Sequence, residues 1–455
     1  MRFFLGCGLV FVISLNACVG GEQGPFPEGD DPPRIGAITS RAAFVQSEIA
    51  RWNAGISAAD RADKYAQMAQ SAFNFFRGTD HLFWADNGVH PDLFRFGLDI
   101  FLSGDLHVDN LGTYGDDQGV TVFGMNDFDQ SVIADYQLDV WRLATSLVLV
   151  GRDDGLSSSK LHDAVDLFSE AYLDQLDDDR HDDGEANRRF DAAAASGPLA
   201  DLLSKAGKQT TADLLAKWTT VTAGARVFDL GNSDLAAVTS TTRTAIVSAL
   251  PGYRQTLHTA LPAGQFAVKS VAQRLHAGLG SLGVARYYVL IEGPSTGNDD
   301  DVILDVKAEP TAMAYAYVPA PTFASEGERA ATAQRALDVH VDDYLGWTTI
   351  GGASFVVRAV SPQKNALDPA KYSKTADFKS VAQQLGGIVA TFHARSDQDF
   401  HADLIGYDFE SGVHGLTNGQ HDQFRALVWS HASAYADQVA KDWTGFKSAS
   451  PPSSP

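Results

Sequence analysis

Cysteine is almost absent from this chain: Cys7 and Cys18 are the two it has in 455 residues. Neither a disulfide scaffold nor a cysteine-ligated zinc site can be built from them. Basic side chains are also scarce. Thirty-five Lys and Arg stand against 57 Asp and Glu, a net charge of −22. A sequence-independent nucleic-acid binder needs a basic surface, so that class of partner is excluded. Past Leu15 there is no apolar run long enough to cross a bilayer, and no internal repeat. What is present is an ordinary globular composition, 44% hydrophobic and 20% charged. It suffices for one large domain or two lobes with a real core.

The first residues read as a targeting segment. Arg2 precedes the apolar run Phe3 to Leu15, too short for a structural span and shaped like a secretory signal. It closes on Leu15-Asn16-Ala17-Cys18, which resembles a bacterial lipobox with Cys18 as the lipidated residue, although Asn16 is larger than usual there. The expectation is a signal peptide over 1–17, then lipidated Cys18 and a flexible Gly-, Pro- and acid-rich linker to residue 34. The protein is then exported and held at a membrane by its lipid alone, in the periplasm or at the cell surface.

Periodicity organises the rest. Residues 39–75 carry helical spacing in two pieces, broken near Asn53-Ala54-Gly55. Short apolar strands or turns are expected over 100–114 and 119–127, and helices over 138–149 and 160–176. Asp177 to Glu185 reads as a solvated acidic loop, and residues 186–262 as mostly helical. Strand-like runs then appear at 285–292, 301–307 and 355–360, with a helix predicted over 326–345. Helices at 376–395 and 421–443 close the chain.

The sharpest pattern is Gly104-Asp105-Leu106-His107, followed by Asn110. Asp127, in Asn126-Asp127-Phe128-Asp129, comes 17 residues after Asn110. Phosphoryl transfer from a nucleotide needs one carboxylate at the acceptor hydroxyl, and an Asn and an Asp to hold magnesium. Asp105 fits the first role; Asn110 and Asp127 fit the metal roles, with Asp129 in support. The wording resembles the catalytic loop of protein kinases and, more closely, of aminoglycoside and choline phosphotransferases. Asp139 sits on an apolar helical segment. It is either a brace beneath the catalytic loop or a helix N-terminal acid favoured by the dipole.

Far downstream, Gly278, Gly280 and Gly283 spell G-x-G-x-x-G. Strand-like segments follow, and the second ends at Lys307. That is the order of a phosphate-covering glycine loop and a phosphate-binding Lys, rather than of a dinucleotide-binding turn into a helix. Glu328 is the candidate to pair with Lys307. Kinases place the glycine loop before the catalytic loop, and this chain reverses that order. A circular permutation accounts for the reversal.

Together with Phe75-Phe76-Arg77-Gly78, Arg142-Leu143-Ala144, Gln334-Arg335, Tyr344-Leu345-Gly346-Trp347, Val357-Arg358 and His393-Ala394-Arg395, these motifs resemble the bacterial family catalogued as domain of unknown function 2252. Its members look kinase-like, and the resemblance covers roughly residues 40–440. Two departures concern the Lys partner. This chain reads Lys307-Ala308-Glu309 where the family usually has Lys-Glu-Ala, and Thr332 stands where a Glu is common.

The expected fold is therefore α+β: a two-lobed, permuted, protein-kinase-like arrangement. A helical lobe with the catalytic and metal loops spans 35–264, and a β-rich nucleotide lobe spans 265–365. Helices return over 366–445, and a disordered tail covers 446–455. The expected activity is ATP- and magnesium-dependent phosphotransfer to an unidentified small-molecule or protein acceptor, with adenylyl transfer as a variant. The alternative is a catalytically inactive kinase-like lipoprotein that binds a ligand or partner, which suits a compartment poor in ATP. A two-metal phosphoesterase would use Asp105 and His107, but Asn126 to Asp129 does not supply the further ligands it needs.

Overall fold

A computed structural model describes residues 40–88, 97–181, 183–276, 278 and 282–449. Cys18, the signal and the linker lie outside the described residues, as does Gly280. The described fold is mixed α+β. No helix in it is long and apolar enough to cross a membrane.

Side-chain caps start many of the helices. Ser40, Ser57 and Ser71 each accept a backbone N–H at the start of the helices Arg41–Trp52, Ala58–Met68 and Ala72–Gly78. The Gln137–Asp153 helix is buried continuously from Gln137 to Gly151, as its apolar run predicts. Around it pack Ser158–Asp179 and the final helix His421–Ser448. Thr375–Arg395 lies hard against Ser158–Asp179. Gly386 makes that approach possible, because a Cβ there would stand 2.1 Å from the Phe168 carbonyl oxygen. The first and last helices are pinned together by Arg41, which bonds Asp86 at 2.6 Å and Asp442 at 2.7 Å.

The second half builds a six-stranded antiparallel sheet in the order Gly346–Ile350, Ala353–Ala359, Val302–Ala308, Arg286–Ile291, Val268–Arg274, Leu235–Ala237. Alternation sorts its faces. Leu304, Val306, Val289 and Val357 enter a core with Ile246, Leu250 and Tyr253. Asp305 and Lys307 point to the opposite face, where Ile303, Tyr288 and Leu290 meet Leu215 and Trp218. Register sets Lys307 beside Arg286 on one side and Val356 on the other.

Three expectations change. Residues 186–262 are not mostly helical: between Thr211–Trp218 and Ser240–Tyr253 lie the hairpin Thr219–Thr222/Ala225–Phe228 and the sheet strand Leu235–Ala237. Threonine and valine favour the pleated conformation there, and a turn with Ala223 and Gly224 at positive φ closes the hairpin. The 326–345 helix stops at Leu337, because Asp338 is extended, and a strand follows over Gly346–Ile350. The last helix runs to Ser448, into the stretch expected to be a tail.

Candidate active site

Two small β-pairs present the Asp105 loop. Asp99–Leu102 pairs with Val132–Asp135, and Leu111–Gly115 pairs with Thr121–Met125. The loop from Ser103 to Asn110 leaves the first strand and enters the second pair through a short 3-10 turn. Gly104 turns it with φ +80°, and a Cβ there would fall 1.9 Å from the Gln130 carbonyl oxygen. The Asp105 loop and the Asp127 loop are thus in backbone contact.

Asp139 lies directly beneath. Its carboxylate accepts from Ser103 N at 2.8 Å and Gly104 N at 3.1 Å. Of the two roles open to it, the brace matches this geometry. Buried His393 stands 3.7 Å behind it and bonds the Tyr172 hydroxyl at 2.8 Å. Ser146 adds a hydroxyl acceptor for Val108 N at 3.2 Å.

Asp105 is fixed by Arg142, whose Nε donates to its Oδ1 at 2.7 Å and whose Nη2 also bonds it. The same guanidinium stands 3.2 Å from Asp80 and 4.2 Å from the Phe76 ring centroid. Burial pushes the Asp105 carboxyl up to about 6; Arg142 opposes that shift and the Asp127 charge adds to it. His107 packs edge-on to Phe73, and burial holds its pKa well below the usual imidazole range.

Asn110 donates from Nδ2 to the Asp105 carbonyl at 2.8 Å, leaving its amide oxygen for another partner. Asp105, Asn110, Asp127 and Asp129 line one small cavity. Lys307 lines the adjoining space and comes from the sheet to these aspartates, 3.5 Å from Asp127 and paired directly with Asp129. Burial opposes ionisation of Asp127, but Lys307 and a bond from Asp129 outweigh it and hold this carboxyl well below its ordinary value. Asp129 is pushed up to about 6 by burial and by the Asp127 charge. Burial pulls Lys307 down, yet the two aspartates keep it above the usual lysine range. Ionised Asp127 and the free Asn110 oxygen are hard oxygen donors of the kind magnesium takes.

The structure does not bring Glu328 to Lys307. Its carboxylate accepts from Ala324 N at 3.1 Å at the start of the Glu326–Leu337 helix. The glutamate near Lys307 is Glu309: it is buried, its oxygens have no hydrogen-bond partner among the described residues, and burial pushes its pKa well up. The residue this helix sends to the site is Arg329, which donates to the carbonyls of Asp129 at 2.7 Å and Ser131 at 2.6 Å. Gly278 and Gly283 have φ +115° and +83°, and Gly283 packs on Ile56.

Sequence reasoning did not single out Arg329, Asp80 or Lys64. Arg329 carried one usable signal, an Arg among alanines on an otherwise buried helix face. Asp80 and Lys64 come from helices well before the motif, with nothing in their spacing to tie them to it.

Next to the site lies a cavity of about 350 Å³, with Met125, Leu214, Tyr288, Ile303 and Val341 among its walls. Asp305 and Arg358 border both this cavity and the space around Lys307.

A family model described as "Uncharacterized protein conserved in bacteria (DUF2252)" matches residues 60–449. No curated protein and no solved structure matches the chain.

Proposed function

The chain belongs to the bacterial family DUF2252, and from that premise we propose that it is a magnesium- and nucleotide-dependent phosphotransferase on a permuted kinase-like fold. One observation carries this reading. Asp105, Asn110 and Asp127 line a single cavity, and Lys307, 180 residues beyond Asp127, places its ammonium on Asp127 and Asp129. The neighbouring cavity, at about 350 Å³, is within the size range of small-ligand pockets. Its apolar walls suit a nucleobase, with the phosphates directed toward Lys307.

Asp105 is positioned as the proton acceptor. Arg142 occupies its Oδ1, which leaves Oδ2 for an acceptor hydroxyl. As the acceptor oxygen forms its bond to phosphorus, its proton passes to Asp105 and the bond to the nucleoside diphosphate breaks. A carboxyl near pKa 6 is better matched to that transfer than an exposed one. Asn110 and Asp127 would hold magnesium, which neutralises phosphate charge when bound. Lys307 would turn from the aspartates to phosphate oxygens. Glycine-loop cover by Gly278, Gly280 and Gly283, lipidation at Cys18 and export belong to the same proposal. The secretory-type N-terminus favours a second reading, a binding lipoprotein without catalysis.

Calorimetric titration of the full chain with ATP and magnesium tests the proposal. Magnesium-dependent binding that Asp127→Ala and Lys307→Ala both abolish is the expected result. Folded protein that binds no nucleotide at millimolar concentration sinks the transferase reading and leaves the binding lipoprotein.

A further inference from the structure

The cavity that contains Asp105 also holds two donors with no part in the transfer step, Lys64 and Arg77. Lys64, on the Ala58–Met68 helix, is 7% exposed and lines this cavity of about 40 Å³. Its ammonium has no hydrogen bond among the described residues and feels the charge of Asp105. Arg77 lines the same cavity. Its Nη1 pairs with Asp109 at 2.8 Å, but its Nε–H is buried without an acceptor among the described residues.

Charge pairing around the cavity isolates Lys64. Asp80 and Asp105 share Arg142. Asp127 and Asp129 share Lys307. Asp109 takes Arg77. Five carboxylates thus face four cations, and Lys64 is the cation that makes no ion pair among the described residues. An unpaired buried ammonium is expensive, and so is a buried N–H with no acceptor. Each deficit is removed by the same thing, an oxyanion in the cavity. At about 40 Å³ the space is far smaller than the neighbouring cavity of about 350 Å³, so it suits one small group rather than a whole substrate.

We propose that Lys64 and Arg77 form a seat for a single phosphoryl group facing Asp105. The group is either the one being transferred or a phosphate carried by the acceptor. That role rests on the phosphotransferase reading; the seat's affinity for phosphate does not.

Inorganic phosphate alone, without nucleotide or metal, is the probe. The full chain is titrated by calorimetry beside Lys64→Met, Lys64→Arg and Arg77→Met. Loss of a charged hydrogen bond predicts about tenfold weaker phosphate binding in Lys64→Met and in Arg77→Met. Lys64→Arg should keep most of the affinity. Lys64→Met should melt no lower than the parent protein, since it removes an unpaired buried charge. A structural lysine predicts the reverse, a lower melting temperature with phosphate affinity unmoved, and that pattern overturns the proposal. So does parent protein that binds no phosphate at tens of millimolar.

If Lys64→Met fails to fold, cyanate labelling of the parent protein decides. Phosphate should slow carbamylation of Lys64, and absence of protection overturns the seat. Phosphate bound more tightly with ADP and magnesium present assigns the seat to the transferred group. Binding unchanged by them assigns it to the acceptor. Phosphate binding that survives a failed ATP titration leaves the seat standing and removes the phosphotransferase role.

Discussion

The Asp105 loop and the Lys307 strand face each other across the candidate active site, and they are held by different means. The loop has no ladder of its own at Ser103 and Gly104. Asp139 supplies the acceptors for both N–H groups, and Arg142 fixes the side chain of Asp105. Lys307 needs no such device, because its place follows from pairing with Val356 and Arg286 in the sheet. A loop depends on a few buried polar side chains from distant helices, whereas a strand position is spread over many backbone bonds. Single substitutions should therefore damage the loop side far more than the strand side.

The sharpest way to break that contrast is Asp139→Asn. The change keeps the shape but replaces one acceptor by a donor beneath two buried N–H groups. We expect a loss of about 3 kcal/mol in urea unfolding. A loss below about 0.5 kcal/mol, the size of an ordinary surface change, would show that the loop holds itself.

Asp338 tests the seam between the two regions. It caps the end of the Glu326–Leu337 helix, receives a weak bond from Gln334 at 3.4 Å, and lies near Arg395. Burial pushes its carboxyl up to about 7, although Tyr114, Arg395 and Gln334 oppose the shift. Raised in the folded state, this acid favours folding only while it is protonated. The protein should lose that contribution as pH rises from about 4, the unfolded value, to about 7. Asp338→Asn should match the parent protein at pH near 4 and exceed it by on the order of 2 kcal/mol at pH near 8. Parallel stability curves for the two proteins would refute this.

The smallest effect is expected at Glu328. It serves only the first turn of its helix, so Glu328→Gln should change stability by less than about 0.5 kcal/mol and leave nucleotide affinity intact. A clear loss of nucleotide binding would restore it as the partner of Lys307.

These cases also show what the sequence makes legible. Asp105, Asn110, Asp127 and Asp129 lie within 25 residues, and the turns that juxtapose them are written in the same stretch. The Lys307 strand alternates Val302, Leu304 and Val306 with Ile303, Asp305 and Lys307, so the face that carries Lys307 is readable as well. Distance along the chain is all that points to Glu328 as the partner of Lys307. Helical phase decides otherwise, since one residue of rotation turns Glu328 to the Ser325 cap and Arg329 inward. Lys64 and Asp80 reach the site only through packing of the first helices, which no local pattern encodes. The strands within 219–237 were hidden because alanine-rich flanks on both sides carry helical spacing.

The bond network of Arg41 has a mechanical meaning. It ties the first helix to Asp86 and, through Asp442, to the last. A pull applied at residue 40 cannot peel off the first helix alone. The load passes at once into the longest helix of the described chain, and from there into the packed bundle around Gln137–Asp153. A protein held by its first residues would thus bear tension on its most deeply embedded elements, including the helix that carries Asp139 and Arg142.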